Sequence, residues 1–179
     1  MAADRGVSQE GPQSRVSEPP FDPLEALRVL DSHGVRFILI GGYAAAIRGS
    51  PVITGDLDLC YARDPENLKR LAAALHELGA TLRGATPDVP FHLDPRTLER
   101  GDAFTFNTSV GPVDCVGTPA GTAGFKELES DATDEDLDGL TVRVASIEDL
   151  MRMKRAAGRS KDLIGLEWLG AVREELEPE

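Results

Sequence analysis

The chain has 179 residues, 41% of them hydrophobic and 28% charged, which predicts one globular domain able to bury a sizeable core. No apolar run approaches the roughly 18 to 20 residues that cross a membrane, and the N-terminus lacks the order of a secretory signal, so we expect a soluble cytoplasmic protein with no membrane partner. The net charge of −12 opposes nonspecific binding to nucleic acid or to anionic lipid.

The N-terminal part is predicted to be an arm followed by a helix. Residues 1–20 contain almost no large apolar side chains and no periodicity, so we expect a disordered arm there and a single domain over residues 21–179. The first helix is predicted to begin at Asp22, an N-cap residue followed by Pro23, and to end at Gly34.

A glycine pair then separates two predicted strands. Residues 35–40 are continuously apolar and β-branched, which predicts a strand in the interior of a sheet. This strand runs into Gly41-Gly42, a short helix is expected over residues 43–48, and residues 53–61 are predicted to form the second strand. Such a glycine pair is compatible with a simple tight turn, or with a turn whose backbone N–H groups face a phosphate. The pattern is neither a Walker loop nor a dinucleotide-binding fingerprint.

Two carboxylates give the second strand its candidate chemistry. Side chains alternate between faces along a strand, so Asp56 and Asp58 are expected to project from one face while Leu57 and Leu59 point into the core. Carboxylate oxygens suit Mg²⁺, which is commonly shared between protein carboxylates and substrate phosphates. The pair predicts a divalent-metal site, with an ordinary solvated strand face as the alternative.

The middle of the chain is predicted to supply packing elements and a third acid, Asp114. A helix is expected from Asp64-Pro65 to Gly79, followed by a loop-rich connection over residues 80–102. The remaining predictions are a short strand at 80–83, strands at 103–109, 113–116 and 140–144, a short helix at 121–129, and a solvated acidic loop or strand edge at 129–138.

The C-terminal part is predicted to form two helices with a basic surface. Ser146 caps the first of them, which carries Lys154, and the second begins near Lys161. Residues 143–161 contain six basic residues against two acids, which predicts a surface for a triphosphate, RNA or both, with an ordinary exposed helix face as the alternative. Asp162 is a candidate to orient one of these lysines, to join the site, or to cap the last helix.

Cysteine, tryptophan and histidine residues carry no predicted chemistry. Cys60 and Cys115 are expected to be buried thiols rather than a disulfide, since their strand positions point them to opposite sides of the sheet. Trp168 and the apolar residues of the last helix, Leu163 among them, are expected to pack inward. The three histidines are scattered and are expected at the surface.

The order of these features resembles the polymerase-β-like nucleotidyltransferase superfamily, and more narrowly the AbiEii-type nucleotidyltransferases, often the toxins of toxin–antitoxin pairs, and related minimal nucleotidyltransferases. The resemblance implies a mixed α/β nucleotidyltransferase fold, in which a small mixed sheet is flanked by helices and the C-terminal helices pack on it. It rests on Gly41-Gly42-Tyr-Ala-Ala-Ala-Ile-Arg-Gly-Ser-Pro51, Thr54-Gly-Asp-Leu-Asp-Leu59, Gly111-Pro-Val-Asp114, and residues 144–163.

By this resemblance the protein would be a magnesium-dependent enzyme that moves a nucleoside monophosphate from a nucleoside triphosphate to an acceptor hydroxyl. Asp56 and Asp58 would hold the metal ions, and Asp114 would complete one metal site and help to deprotonate the acceptor. The nucleotide-contacting candidates are Gly41, Gly42, Arg48, Ser50, Lys154 and Lys161.

The chain departs from the family pattern at two positions. Many AbiEii-like relatives have an arginine where this chain has Val52, for which Arg48 is a candidate replacement. Relatives also often carry an acid where this chain has Gly165. Both positions concern substrate contacts rather than the three aspartates.

The toxin-like branch of the family implies tRNA or protein as the acceptor and an antitoxin protein as a partner. A small-molecule nucleotidyltransferase that modifies an antibiotic ranks lower, because no segment identifies a pocket for such an acceptor. The rival from another class is a non-catalytic nucleotide-binding or protein-interaction module on the same fold. Three clustered carboxylates are costly to retain without chemistry, which favours an enzyme.

Overall fold

The structure is a computed structural model that describes residues 19–85 and 91–176. Residues 1–18 of the predicted arm and residues 86–90 of the predicted connection lie outside the described residues. The helices in these ranges are α1 (Pro23–Ser32), α2 (Gly41–Ile47), α3 (Pro65–Glu77), α4 (Pro95–Arg100), α5 (Phe125–Asp131), α6 (Ile147–Ala157) and α7 (Ser160–Leu176). The strands are β1 (Phe37–Ile40), β2 (Leu57–Tyr61), β3 (Thr81–Leu82), β4 (Ala103–Thr108), β5 (Gly111–Val116), β6 (Thr133–Leu137) and β7 (Leu140–Val144).

The strands form one mixed sheet in the order β3-β4-β5-β2-β1-β7-β6. Strand β2 runs parallel to β5, and β1 runs parallel to β7, whereas the other neighbouring pairs are antiparallel. Because β1 lies between β2 and β7, the interior position predicted for this strand is confirmed. The sheet and its helices confirm the predicted mixed α/β architecture.

Apolar side chains from the first and third helices cover one face of the central strands. Leu27 and Leu30 of α1, Leu71 and Leu75 of α3, and Leu59 of β2 are fully buried. Burial of one such side chain contributes about 1.5–3 kcal/mol, so this packing fixes the position of β2 within the sheet. The face of β2 opposite Leu59 is thereby left for polar residues.

Helix starts follow local signals in the sequence. The predicted N-caps Asp22, Asp64 and Ser146 each accept a hydrogen bond from a backbone N–H of the first turn. The same signature occurs at Asp94-Pro95, where it starts α4. The prediction of a loop-rich connection is therefore wrong for this six-residue helix, which is too short to show an apolar stripe.

The glycine pair and the acidic strand also differ from their predicted form. Helix α2 begins at Gly41 itself, so the pair opens the helix instead of forming a turn before it. Strand β2 begins at Leu57 rather than at residue 53, and Asp56 lies in the loop that precedes it. The proline and glycine in residues 51–56 disfavour a strand there.

The C-terminal half confirms some predictions and corrects others. Strand β6 lies at the edge of the sheet, as one of the two predicted alternatives for the acidic stretch. Helix α5 begins at Phe125, four residues later than predicted. Trp168 is 47% exposed and Leu163 is also exposed, so the inward packing predicted for them is wrong. The reason is that the buried face of α7 contains Asp162, Gly165 and Leu169.

Cys60 and Cys115 are free, buried thiols, as predicted. Among the described residues the histidines join no metal-binding cluster. None of the helices in the described ranges combines the length and the apolar character that crossing a bilayer requires.

Candidate active site

Asp58 and Asp114 are cross-strand neighbours at the centre of the sheet. Strands β2 and β5 lie side by side with Asp58 opposite Asp114 in register. Leu57 and Leu59 are fully buried, so the alternation of β2 directs the carboxylate of Asp58 to the face opposite the core. Strand pairing, rather than a loop, therefore holds these two acids together.

Asp56 joins the pair from the loop that precedes β2. Its Oδ1 accepts a hydrogen bond of 2.7 Å from Oγ1 of Thr54. Three carboxylate oxygens lie within 4.8 Å of one another, one each from Asp56, Asp58 and Asp114. The structure thus brings together the three acids that the sequence singled out.

The glycine pair allows the chain to approach these acids closely. Gly41 has a φ of +71°, and a Cβ atom there would overlap the carboxylate of Asp58. At Gly42 a Cβ atom would lie 2.7 Å from Oγ1 of Thr54, the side chain that holds Asp56. Side chains at these positions would disturb two of the three acids, which explains glycine at both.

The acids are crowded and partly desolvated. Burial, followed by the negative charges of Asp56 and Asp114, raises the pKa of Asp58 to about 7. The backbone N–H of Gly42 and the charge of Lys161 act in the opposite direction. Burial also raises the pKa of Asp114, against a lowering by Arg83. The site therefore favours either a bound proton or a bound cation.

The cluster fits a divalent metal ion. Oδ1 of Asp114 is buried and accepts no hydrogen bond from the described residues, so it is available as a ligand. The donors are hard carboxylate oxygens, which are the ligands that Mg²⁺ prefers. The carboxylates of Asp56, Asp58 and Asp114 lie close enough together to coordinate such an ion.

Helix α6 and the segment that joins it to α7 place basic side chains across from the acids. Nζ of Lys154 lies 3.8 Å from Oδ1 of Asp162, whose side chain is almost fully buried. Arg159 donates a hydrogen bond of 2.8 Å from Nε to the same carboxylate, and its backbone N–H also bonds to it. Asp162 thus stabilises the start of α7 and holds two cations close together.

Gly165 of α7 leaves room for Lys154. A Cβ atom at this position would lie 2.9 Å from both Cε and Nζ of the lysine. The acidic side chain that the family resemblance leads one to expect at this position would displace the ammonium group of Lys154. The departure at Gly165 is therefore matched to the observed position of Lys154.

Acids and bases line one cleft of about 370 Å³. Asp58 and Asp114 lie on its sheet side, and Lys154 and Arg159 lie on its helical side. The apolar part of the lining includes Ile40, Ala103, Phe104, Leu150 and Met153.

Arg48 does not reach this cleft. Its guanidinium donates to the backbone oxygens of Val144 and Ala145 and to the side chains of Thr133 and Glu135. These bonds attach the end of α2 to β6 and β7. The nucleotide contact expected of Arg48 has no geometric support, and its bonds are those of a structural residue.

The other predicted contacts divide between the cleft and the interior. Ser50 is buried away from the cleft lining, and its hydroxyl has no hydrogen-bond partner among the described residues. Val52 packs against the hydrophobic core, so this position does not supply the positive charge of the arginine found in relatives. Lys161 is exposed, and its charge lowers the pKa values of Asp58 and Asp114, which places it near the acids.

Arg83 is a charged residue of the site that the sequence did not reveal. Its Nη2 lies 3.7 Å from Oδ1 of Asp114. Residue 83 falls at the end of a short, weakly predicted strand, and only the pairing of three strands brings it to the acids.

No family model matches the sequence, and no curated protein matches it significantly. Solved structures do match. A lincomycin-bound lincosamide antibiotic adenylyltransferase, LnuA, aligns with a TM-score of 0.57 and 11% identity over 84% of this chain and 95% of its own. ANT(2")-Ia in complex with adenylyl-2"-tobramycin gives a TM-score of 0.54 and 16% identity over 87% and 97% of the two chains. A candidate nucleotidyltransferase of Thermotoga maritima aligns with a TM-score of 0.52 and 17% identity over 87% of this chain and 99% of its own. These likenesses show that the chain has the predicted nucleotidyltransferase fold.

Proposed function

We propose that the protein is a magnesium-dependent nucleotidyltransferase that moves a nucleoside monophosphate from a nucleoside triphosphate to an acceptor hydroxyl. The observation that carries the proposal is the cluster of Asp56, Asp58 and Asp114 across one cleft from Lys154 and Arg159. A metal–triphosphate complex needs carboxylate oxygens for the metal and cations for the phosphates, and the cleft offers both. The fold agrees with this activity but does not by itself specify it.

The acceptor oxygen would form a bond to the α-phosphorus while the bond from that phosphorus to the bridging oxygen of the β-phosphate breaks, so pyrophosphate leaves. Asp114 would help to take the proton of the acceptor hydroxyl, as the resemblance implies, since its carboxylate lies beside those of Asp56 and Asp58. Asp56 and Asp58 would hold the divalent metal, which would supply charge stabilisation to the attacking and leaving oxygens.

The triphosphate would lie between the sheet and the two C-terminal helices. Lys154 and Arg159 line the cleft, and Lys161 lies near the acids, so these side chains would neutralise the phosphates. Gly41 and Gly42 would border the phosphates on the sheet side, as the resemblance implies. Charge pairing with Asp162 holds Lys154 and Arg159 in place before the nucleotide arrives.

For the acceptor we propose tRNA or protein, in a cytoplasmic enzyme of the AbiEii type that acts as the toxin of a toxin–antitoxin pair. The motifs of residues 41–59 and 144–163 support this branch of the superfamily. Expression of the active protein would then inhibit growth, and Asp58→Ala would relieve the inhibition. Harmless expression of active enzyme would count against the toxin role.

A small-molecule acceptor is the second candidate. Two of the matched structures contain an antibiotic or its adenylylated product, and the apolar part of the cleft is suited to a small organic acceptor. The transfer assay therefore has to include such acceptors beside RNA and protein.

The test is transfer of label from each of the four α-³²P nucleoside triphosphates, with Mg²⁺ or with EDTA. The acceptors are a tRNA pool, cell protein, a lincosamide and an aminoglycoside. Asp58→Asn removes a metal ligand at nearly constant volume, and Asp138→Asn is the matched control, since Asp138 is an exposed acid paired with Arg28.

We expect Mg²⁺-dependent labelling of one acceptor class by wild type and by Asp138→Asn, and a loss of at least about 100-fold in Asp58→Asn. The class that is labelled decides between the two candidates. A protein that binds triphosphate but labels none of these acceptors would support the non-catalytic module instead.

A further inference from the structure

Arg83 lies in the same row of side chains as the acids. Its backbone N–H donates to the oxygen of Thr105 at 2.8 Å, which extends the antiparallel pairing of β3 with β4. Thr105 is opposite Asp114, and Asp114 is opposite Asp58. Directly opposed side chains share one face of a sheet, so the row from Arg83 to Asp58 lies on the face that lines the cleft.

Strand β4 aims the guanidinium of Arg83 at Asp114. Nε donates to Oδ1 of Asn107 at 3.2 Å, and Nη2 donates to the backbone oxygen of Phe106 at 3.4 Å. Nη2 is 3.7 Å from Oδ1 of Asp114, which is too long for a hydrogen bond but close enough for an ion pair. The guanidinium therefore compensates the charge of Asp114 without forming a hydrogen bond to its carboxylate.

This ion pair compensates an oxygen that has no other partner among the described residues. Within the ranges that the structure describes, Arg83 is the one cationic side chain within 4.0 Å of a carboxylate oxygen of Asp114. The same Oδ1 is buried and accepts no hydrogen bond there. A buried, unpartnered anionic oxygen is costly, so the charge of Arg83 stabilises it.

We propose that Arg83 is a positioning residue for Asp114, whose charge it compensates in the metal-free protein and for which it competes with the divalent metal. This inference rests on the proposed function, because it takes the three acids to be a metal site. A metal ion on Asp114 and a guanidinium beside it repel each other. The side chain of Arg83 is 39% exposed, which lets it turn towards solvent when the metal enters.

The competition gives Arg83 a role in the order of binding. The positive charge of Arg83 keeps the affinity for the metal low while the cleft holds no nucleotide. The negative charge of an arriving triphosphate then offsets the repulsion between Arg83 and the metal. Metal and nucleotide would therefore bind the wild-type protein with positive coupling, and this coupling would shrink when the charge of residue 83 is removed.

The test is equilibrium binding of Mn²⁺ to the nucleotide-free protein, followed by electron paramagnetic resonance. Arg83→Ala is expected to bind Mn²⁺ roughly threefold to tenfold more tightly than wild type, and Arg83→Lys is expected to restore weaker binding. Arg28→Ala is the matched control, because it removes an arginine paired with an aspartate, Asp138, at 2.9 Å and should leave Mn²⁺ binding unchanged. A merely structural role for Arg83 would weaken metal binding when lost, not tighten it.

A double-mutant cycle identifies the acid through which Arg83 acts. In an Asp114→Asn background, Arg83→Ala is expected to leave the Mn²⁺ affinity unchanged, because the carboxylate for which the two cations compete is absent. A tightening that persists in this background would show that Arg83 acts on another group and would overturn the assignment to Asp114.

Equal or weaker Mn²⁺ binding by Arg83→Ala overturns the inference and leaves the proposed metal site standing. If that variant does not fold, Arg83→Met keeps the aliphatic stem and carries the same expectation. Absence of Mn²⁺ binding in every variant, wild type included, contradicts the metal site and therefore both the proposed function and the inference.

Discussion

Asp58 of β2 and Asp114 of β5 stand opposite each other in register on parallel strands, although they are distant in the sequence. Two like charges are held side by side by the backbone pairing of the sheet, whose other face is packed with leucines. The fold therefore stabilises an arrangement that electrostatics alone would separate. A bound cation would relieve this conflict.

The metal-free protein should lose stability as the pH rises from about 4 to about 8, the interval set by the unfolded and folded pKa values of Asp58. Burial and the charges of Asp56 and Asp114 raise the pKa of Asp58 from 3.8 to about 7, so the folded state binds this proton more tightly than the unfolded chain. The resulting stability is fully present below the unfolded pKa and is lost as the pH rises through the folded pKa, with an upper limit of about 4 kcal/mol.

Urea unfolding in EDTA at each pH measures this loss. Asp58→Asn should show a flatter pH dependence and should be more stable than wild type at the upper end of the range. Asp138→Asn, the exposed control, should follow the wild type. Parallel pH profiles for wild type and Asp58→Asn would show that Asp58 does not titrate as described.

Gly41→Ala should abolish metal binding and nucleotidyl transfer. The new Cβ atom would overlap the carboxylate of Asp58, and the φ of +71° adds strain of about 1–2 kcal/mol. Gly79→Ala is the matched control, because Gly79 has a φ of +64° but no atom of the described residues lies within 4 Å of the added Cβ. Gly79→Ala should lose the stability that corresponds to this backbone strain in thermal unfolding, and should keep the wild-type affinity for Mn²⁺. If both variants lost Mn²⁺ binding equally, backbone strain rather than overlap with Asp58 would be the cause.

Gly165→Ala should raise the KM for the nucleoside triphosphate with little effect on stability. The added Cβ atom would lie 2.9 Å from Cε and Nζ of Lys154 and would push the ammonium group away from the phosphates. In Gly170→Ala, on the same helix, the added Cβ meets no atom within 4 Å in the part of the chain that the structure describes, so this variant should keep the wild-type KM. Steady-state kinetics with each variant decide the matter, and an unchanged KM in Gly165→Ala would remove Lys154 from the nucleotide site.

Arg48→Ala should destabilise the protein by about 2 kcal/mol or more and leave the KM for the triphosphate unchanged in the folded fraction. The change breaks the bonds that attach α2 to β6 and β7, including the ion pair with Glu135 at 2.5 Å. Urea unfolding and steady-state kinetics on the same samples separate the two effects. A raised KM at unchanged stability would restore the nucleotide contact that the sequence suggested.

Local signals in the sequence were sufficient for much of the fold. Asp22 and Asp64 cap their helices because each stands before a proline at the first helical position, a pattern that depends on neighbouring residues alone. The alternation through Leu57, Asp58 and Leu59 likewise predicts which side chain faces the cleft. The order of strands in the sheet is not a local property, and no periodicity in the sequence encodes it.

The residues of the candidate site likewise divide into those that the sequence identifies and those that only the folded chain brings to the site. Asp56, Asp58, Asp114 and Lys154 could be singled out because their residue types and order resemble a known family. The direction taken by Arg48 depends on β6 and β7, which lie far along the chain, and the approach of Arg83 depends on the pairing of β3, β4 and β5. Such placements follow from tertiary packing and become visible only in the folded protein.

The most direct test of the metal-dependent site is anomalous X-ray diffraction from crystals grown with Mn²⁺ and a nucleoside triphosphate whose α–β linkage resists cleavage. We predict Mn²⁺ density ligated by Asp56, Asp58 and Asp114, with the triphosphate running from these acids towards Lys154 and Arg159. Mn²⁺ and triphosphate bound elsewhere, with the three aspartates contacting neither, would contradict the proposed function.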